Sequence, residues 1–442
     1  MSSQTSVNLS TIKQTLSPLS LGTLCKSLAI SGLKQYPSST PIITNSPTNV
    51  SHIVFGMVGS MNTWKYKKPY IEAWWRPHIT WGYLFLDVAP TPEFQTLPST
   101  STPFCVNENI NKLKVYPKIV RPVQVQMVRT IMETFRQGDE DVRWYVMADD
   151  ETVLFVDNLV EVLAKYNHSI YYYIGSNSEC VESNFDFSFE MAFGGAEYAL
   201  SNPLVQALAT KLDNCVERYL FVSDFTLHSC LADLGVSLTR EKGLIYTMTC
   251  MSRLLSTHPQ SPFLSLHHID TINPIFPTMN CSESINHFMK AAKVDQSRLL
   301  QQTICYHRPS NWSFSMSWGY SAYIYQNILP RSSLPPLYMF NTMWPSNNPC
   351  EAPHAFFLDS IEYYTQQNQI VTTYIRRSVH GLPACSFTGN HSADAITKIQ
   401  VFSPATTPME IGGRDCCDIL YTTSKNVTEV KYRPCGKDEV IA

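Results

Sequence analysis

The chain has 442 residues, of which 44% are hydrophobic and 16% are charged. This composition is typical of a globular protein and excludes an intrinsically disordered one. The net charge is −3 at pH 7, and no long run of Lys or Arg occurs, which argues against a nucleic-acid-binding surface. Length alone allows about two or three domains.

The first part of the chain alternates predicted strands and helices. Residues 1–50 are rich in Ser, Thr and Pro without a sustained hydrophobic period, so we predict a leader there. Strands follow near residues 52–58, 80–88, 144–147 and 170–175, with helices between them. This alternation predicts an α/β domain over residues 51–329, with a largely parallel sheet flanked by helices.

The last part of the chain has a different pattern. Short apolar strands bounded by proline are predicted at residues 355–358, 369–375, 398–402 and 429–432. We therefore expect a smaller β-rich region over residues 330–442. No segment has the length and hydrophobicity of a membrane span, and no compact signal peptide is recognised. Thirteen cysteines are scattered without the CxxC pattern of a zinc site, and a protein of the secretory pathway would pair several of them.

Three adjacent carboxylates, Asp149, Asp150 and Glu151, follow the apolar strand near residues 144–147. Such a cluster cannot be buried unpaired, so it lies in a surface loop or holds a cation. Oxygen ligands suit Mg²⁺ or Mn²⁺, and these ions in turn suit a diphosphate. The alternative is an acidic turn that caps the next helix.

Other candidate residues lie near the ends of predicted elements. They are Gly59 and Ser60 after the first strand, the pair Gly194 and Gly195, Asp224 before a helix, and His267 and His268 after a strand. Each also has a structural interpretation. The glycines and Ser60 suit plain turns, Asp224 suits a helix cap, and a histidine near a sheet is often structural.

Several motifs in this order resemble one known family. They are HIVFGMVGS, WKYKKPYIEAWWRP, VRWYVMADDETVLFVDNLVEVLAKYNHSIYYYIGS, FSFEMAFGGAEYALS, FLSLHHID, INPIFP and QTICYHRPSNWSFSMSWGY. Together they are similar to the plant branch of the Fringe-related β-1,3-glycosyltransferases. The similarity extends from about residue 50 to beyond residue 430.

The resemblance implies a GT-A fold and the transfer of a sugar from a UDP-sugar to an acceptor hydroxyl with inversion. It also implies a Mn²⁺ or Mg²⁺ cofactor and residence in the Golgi. Because no anchor or signal peptide is recognised in the sequence, a soluble cytoplasmic protein is the alternative expectation. By resemblance, Asp149, Asp150 and Glu151 match the acidic metal and ribose motif, and His267 or His268 matches a metal ligand. Asp224 matches part of an acidic pair that supplies the general base. Gly194 and Gly195, with Gly59 and Ser60, are expected beside the nucleotide-sugar.

The chain departs from the family pattern at three positions of this expected site. Glu151 stands where the metal motif usually ends in Asp, Glu197 where the glycine-rich stretch usually continues with glycine, and Phe225 where the second acid is usual. A second hypothesis is therefore a non-catalytic relative that binds a sugar or a partner. A metal nuclease is disfavoured because no basic track accompanies the carboxylates.

Overall fold

The computed structural model describes residues 46–90, 102–178, 181–246, 261–269, 275–326, 346–377, 381–383, 385, 393–405, 415–421 and 426–439. Most of the predicted leader, residues 1–45, lies outside these described residues.

The first part of the described chain alternates strands and helices. Its elements are β1 (Ile53–Gly59), α1 (Trp64–Trp74), β2 (Trp81–Leu86), β3 (Phe104–Val106), α2 (Pro122–Phe135), β4 (Trp144–Asp149), β5 (Thr152–Leu154), α3 (Val156–Leu163), β6 (Tyr173–Gly175), α4 (Val181–Asp186), β7 (Tyr198–Ser201), α5 (Asn202–Ala209), α6 (Leu212–Arg218), α7 (Ser223–Ala232), β8 (Leu238–Arg240), β9 (Leu244–Tyr246) and β10 (Ser265–His267).

Seven of these strands form one sheet, in the order β3-β2-β1-β4-β7-β6-β8. Strands β3, β2, β1 and β4 run parallel to one another, and β6 is parallel to β8. Strand β7 is antiparallel to both of its neighbours. Every residue of β1 is buried, as expected for a central strand that is covered on both faces. The predicted α/β class with a largely parallel sheet is confirmed.

Helix α2 shows how local sequence sets the bounds of an element. It begins at Pro122, whose missing N–H costs nothing in the first turn of a helix. Its buried face includes Val125, Val128 and Met132, which follow the helical period. The chain leaves the helix through Gly138, whose φ of 75° lies in the left-handed region that glycine tolerates after a helix end.

One helix predicted from the sequence is divided in two. The hydrophobic period from Val205 to Cys215 predicts a continuous helix, whereas the structure has α5 and α6 with a break at Thr210 and Lys211. The hydroxyl of Thr210 donates to the carbonyl of Ala207, which offers the backbone an alternative to the next helical hydrogen bond.

The rest of the described chain forms a helix and a second large sheet. The elements are α8 (Cys281–Val294), β11 (Gln302–His307), β12 (Trp312–Ser317), β13 (Ser321–Tyr325), β14 (His354–Tyr364), β15 (Gln369–Arg376), β16 (Lys398–Pro404), β17 (Asp415–Tyr421) and β18 (Val427–Pro434). These eight strands pair in the order β11-β12-β13-β14-β15-β16-β18-β17. A disulfide between Cys305 and Cys417 joins the two ends of that order, so the sheet curves into a barrel-like shape.

The predicted β-rich C-terminal region is therefore present. Its sheet begins at Gln302, ahead of the predicted boundary at residue 330, and the boundary itself stays a prediction. Between described residues, disulfides also join Cys215 to Cys230, Cys350 to Cys385 and Cys416 to Cys435. Among the helices of the described residues, none combines the length and hydrophobicity that crossing a bilayer requires.

Two hydrophobic clusters cover the two faces of the seven-stranded sheet. One cluster packs β4 and β7 against α2, α5 and α7. The other packs β1 and β4 against α1 and α8 and continues into the eight-stranded sheet. Because the faces are filled, the open part of the α/β region is the edge where the parallel strands end.

Candidate functional site

The carboxyl ends of β1, β2 and β4 meet at one edge of the seven-stranded sheet, because these strands are parallel neighbours. Strand β1 ends at Gly59, next to Ser60, and β2 is followed by Asp87. The hydroxyl of Ser60 donates to Asp87 (2.7 Å), and the N–H of Met61 donates to the same carboxylate (2.9 Å). Strand β4 brings Asp149 to this edge. In open α/β sheets, ligands bind at this edge.

Asp149 contacts three groups around the end of β4. Its Oδ2 lies 2.8 Å from Nε2 of His267, and its Oδ1 accepts from the N–H of Glu151 (3.0 Å) and the hydroxyl of Thr152 (2.8 Å). Burial acts to raise the pKa of Asp149. The charge and hydrogen bond of His267, with the other two donors, outweigh burial and hold the pKa below its usual value. Asp149 is therefore an anion that holds the imidazole of His267.

A short antiparallel pairing brings the two histidines to the acidic triplet. Strand β10 pairs with β5, which directly follows the triplet, and the register places His267 opposite Thr152. His268 has a φ of 54°, in the left-handed region, and its N–H donates to the carbonyl of Glu151 (3.2 Å). The triplet and the histidines thus lie side by side although they are distant in sequence.

Glu151 lies between a histidine and a lysine. Its Oε2 is 2.5 Å from Nδ1 of His268, and its Oε1 is 2.8 Å from Nζ of Lys67 in α1. Burial acts to raise the pKa of Glu151, but His268 and Lys67 lower it overall. Glu151 is therefore ionised at neutral pH.

Glu151, His267 and His268 have the chemistry and spacing of a metal site. One potential ligand atom from each lies within 4.8 Å of the other two. Two imidazoles and a carboxylate suit a divalent transition metal such as Mn²⁺, and the link from His267 to Asp149 would fix the orientation of that ligand. These residues fit the cation that the sequence predicts.

Asp150 faces another part of the site. It is buried, and its Oδ2 accepts weakly from the N–H of Ser60 (3.4 Å). A Cβ on Gly59 would lie 2.9 Å from that oxygen, so glycine leaves room for this carboxyl group. Burial, with the negative charges of Asp149 and Glu151, raises the pKa of Asp150 to about 8. The structure therefore groups Asp150 with Gly59 and Ser60 rather than with the histidines.

The two glycines of the glycine-rich stretch make room for side chains of the site. A Cβ on Gly195 would lie 2.7 Å from Nε2 of His267, and a Cβ on Gly194 would overlap a carboxylate oxygen of Asp224. The carbonyl oxygen of Gly195 lies 2.6 Å from the hydroxyl oxygen of Thr152, and it shares the single hydroxyl proton with Oδ1 of Asp149. The contribution of these glycines in the structure is therefore to bring Asp224 and the histidine close to β4.

Asp224 lies in the first turn of α7 and lines a small cleft with Val58, Ala148 and Gly194. Burial raises its pKa, whereas hydrogen bonds from the Gly194 backbone and the Ser223 hydroxyl act in the opposite direction. The net pKa is above the usual value for Asp, so the Asp224 carboxylate is a stronger base than an exposed one.

Two of the departures noted in the sequence are visible here. Glu197 is almost fully buried, and its φ of 89° and ψ of 149° lie in a region that is essentially reserved for glycine. Burial raises the pKa of Glu197 well above its usual value. Phe225 contacts the rings of Phe187 and Phe221 at centroid distances of 6.5 and 5.8 Å. An aromatic cluster therefore stands beside Asp224, at the position where the Fringe-related enzymes that the motifs resemble usually have a second acid.

Sequence reasoning did not identify three residues that shape the site. Asp87 directly follows a predicted strand, and that position is a signal for the ligand edge of a parallel sheet. Lys67 belongs to a lysine-rich helix start that is typical of a solvated surface, and nothing local marks its contact with Glu151. Thr152 is recognisable only once β5 is paired with β10.

Several solved structures are similar to about half of this chain, at low sequence identity. Solved structures similar to this chain include the glycosyltransferase GlyE of Streptococcus pneumoniae TIGR4, with 12% identity and a TM-score of 0.33 over 49% of this chain and 54% of GlyE. The galactosyltransferase LgtC, in complex with donor and acceptor sugar analogs, has 10% identity and a TM-score of 0.34 over 54% of this chain and 94% of LgtC. A glycosyltransferase involved in glycosylation of the major capsid of PBCV-1 has 9% identity and a TM-score of 0.28 over 53% and 98% of the two chains.

No curated protein sequence matches this chain. One family matches residues 183–417, a segment that contains Gly194, Gly195, Asp224 and both histidines of the site. That segment is more than half of the 442 residues. The chain therefore belongs to the family described as "Protein of unknown function, DUF604".

Proposed function

We propose that this protein is a metal-dependent inverting glycosyltransferase that moves a sugar from a UDP-sugar to an acceptor hydroxyl. The observation that carries the proposal is the cluster of Glu151, His267 and His268 at the ligand edge of a largely parallel sheet. The motifs that resemble the Fringe-related β-1,3-glycosyltransferases support the same chemistry and a β-1,3 linkage. The acceptor belongs to the class of hydroxyl-bearing glycans, glycoproteins or small molecules.

Each group around the cluster has a task in such a transfer. Glu151, His267 and His268 would hold Mn²⁺ or Mg²⁺, and Asp149 keeps the imidazole of His267 oriented. When bound, the cation neutralises charge on the departing diphosphate. Asp150, Gly59 and Ser60 border the same edge and are placed to contact the nucleotide part of the donor.

Asp224 is the candidate general base. Inversion requires the acceptor oxygen to attack the anomeric carbon while the bond from that carbon to UDP breaks. The hydroxyl proton then needs an acceptor, and the Asp224 carboxylate, with its raised pKa, is suited to take it. The cleft that Asp224 lines with Gly194 gives this carboxylate a place near the cation cluster.

The disulfides support a compartment for this activity. Cys215–Cys230, Cys305–Cys417, Cys350–Cys385 and Cys416–Cys435 are formed in the structure. Disulfides persist in oxidising compartments and are rare in the cytosol. We propose the lumen of the secretory pathway, in agreement with the Golgi residence that the resemblance implies.

A donor screen tests the proposal. Thermal unfolding of the purified chain is measured with UDP or with individual UDP-sugars, each with and without Mn²⁺. In separate, unheated samples, release of UDP from each UDP-sugar is assayed. We expect stabilisation that requires both Mn²⁺ and the nucleotide, of about 2.7 kcal/mol when the ligand is at 100 times its Kd. The isosteric variant Glu151→Gln should lose the Mn²⁺-dependent part. Failure of every uridine diphosphate compound to stabilise the wild type would contradict the proposal.

Phe225 supports a second candidate function, a sugar-binding relative without catalysis. Phenylalanine occupies the position after Asp224, where a second acid would stand, and its ring packs on Phe187 and Phe221. If the second acid of the family is the base, this chain retains the binding site and lacks the proton acceptor. This second function would be favoured if the wild type binds a UDP-sugar with Mn²⁺ but shows no turnover, and if Asp224→Asn leaves that binding unchanged.

A further inference from the structure

Lys67 contacts the carboxylate that the proposed cation needs. The lysine lies in α1, its side chain is only 13% exposed, and its Nζ is 2.8 Å from Oε1 of Glu151. The same ammonium lies over the ring of Tyr70, 5.4 Å from its centroid. Because the other oxygen of Glu151 is next to His268, nitrogen atoms of the protein approach both oxygens of this carboxylate.

The charges of the site explain why a lysine is stable there. Asp149 and Glu151 are anions, and burial together with these two negative charges raises the pKa of Asp150. The Lys67 ammonium places a positive charge 2.8 Å from Oε1 of Glu151, directly beside these carboxylates. A divalent cation on Glu151 would meet that ammonium at short range, and two positive groups so close repel strongly.

We propose that Lys67 and the divalent cation are alternative partners of Glu151. The ammonium holds the carboxylate when no cation is bound, and it leaves Glu151 when the cation enters. This inference rests on the proposed metal site and adds a device that sets its affinity. Lys67 thus weakens cation binding and balances the charge of Glu151 until the cation arrives.

Lys67→Met tests the competition because methionine keeps an unbranched apolar stem and removes the ammonium. Mn²⁺ affinity is measured by calorimetric titration of the full chain without nucleotide. We expect Lys67→Met to bind Mn²⁺ about three- to tenfold more tightly than the wild type, the range that a half-buried ion pair provides. Equal or weaker affinity in a variant that still melts cooperatively would overturn the inference.

Lys68 provides a matched control on the same helix. It pairs with Glu72 across one helical turn at 3.1 Å, so Lys68→Met removes the same charge without touching Glu151. Titrations at about 0.1 M and about 1 M salt separate contact from long-range charge, since the Debye length falls from about 10 Å to about 3 Å. The gain from Lys67→Met should persist at high salt, and Lys68→Met should leave affinity unchanged. A gain that is equal in both variants or lost at high salt would contradict direct competition.

The wild type and Glu151→Gln distinguish this inference from the function on which it rests. If neither the wild type nor Lys67→Met binds Mn²⁺, the proposed metal site and the competition fail together. If the wild type binds Mn²⁺, Glu151→Gln does not, and Lys67→Met equals the wild type, the competition alone fails.

Discussion

The ligand edge of the seven-stranded sheet and the eight-stranded C-terminal sheet use buried polar residues in different ways. At the ligand edge, Asp149, Asp150 and Glu151 lie side by side with shifted pKa values, and Glu197 occupies a strained backbone conformation. In the C-terminal sheet, the polar residues buried on β12 are serines, and disulfides such as Cys305–Cys417 link its strands. At the ligand edge, shifted pKa values therefore coincide with a strained backbone conformation, and such a combination is typical of a functional site.

The comparison predicts that substitutions at the ligand edge affect activity and that substitutions in the C-terminal sheet affect stability. The largest effect is expected at Asp224. Asp224→Asn removes the proton acceptor while preserving shape, and we expect kcat to fall by about 10²- to 10⁴-fold with little change in the affinity for UDP. Steady-state assays of transfer, with UDP binding measured in parallel, check this. An active Asp224→Asn variant would place the base elsewhere.

Disulfides in the two regions allow a direct contrast. Replacing Cys305 and Cys417 by Ser opens the link between β11 and β17, and we expect a loss of about 2–5 kcal/mol in the free energy of unfolding. Mn²⁺ affinity at low temperature should be retained.

The matched variant replaces Cys215 and Cys230, which join α6 to α7, the helix of Asp224. The Cys215–Cys230 bond closes a loop of 15 residues, against 112 for Cys305–Cys417, so its removal should cost less stability. Because this bond holds the helix of Asp224, its removal should cost more activity. Chemical denaturation and transfer assays of both double variants check the contrast. The reverse order of effects would show that the two regions are not separated in this way.

The smallest effect is expected at Glu133, a buried residue of α2 whose carboxylate contacts the Glu108 backbone and Arg129. Burial raises its pKa from 4.5 to about 7, so the folded protein binds this proton more tightly than the unfolded chain does. Its contribution to stability is therefore largest below pH 4.5 and is lost as the pH rises to about 7. Relative to wild type, Glu133→Gln should gain about 1–3 kcal/mol between pH 5 and pH 8, measured by urea denaturation. A difference independent of pH would contradict the raised pKa.

The sequence predicts much of the fold because the informative elements are long and locally consistent. Strands β1 and β4 are continuous apolar runs, and α2 has a helical period with proline at its start and glycine beyond its end. The strands β14, β15, β16 and β18 were also predicted close to their observed positions. Strands β11, β12 and β13 were not predicted, although β11 and β12 lie within a motif that supports the resemblance.

The site was harder to predict because long-range pairing assembles it. The sequence alone indicates the acidic triplet as a candidate site, since adjacent carboxylates need a partner. The pairing of β5 with β10 positions His267 next to the triplet, and these three-residue strands are too short to show a periodic pattern. The division of the triplet, with Asp150 turned toward Ser60 and Glu151 toward His268, depends on side-chain directions that spacing does not contain.

The most direct test of the account is a Mn²⁺ titration of the wild type, His268→Ala and His78→Ala. His268 belongs to the cluster, whereas His78 is an exposed histidine beyond α1 and serves as the control. We predict one equivalent of Mn²⁺ in the wild type and in His78→Ala. In His268→Ala, affinity should fall by at least about 10- to 100-fold, the loss that follows even when a residue supporting a ligand is removed. Unchanged Mn²⁺ binding in His268→Ala would contradict the central claim that this cluster holds the cation.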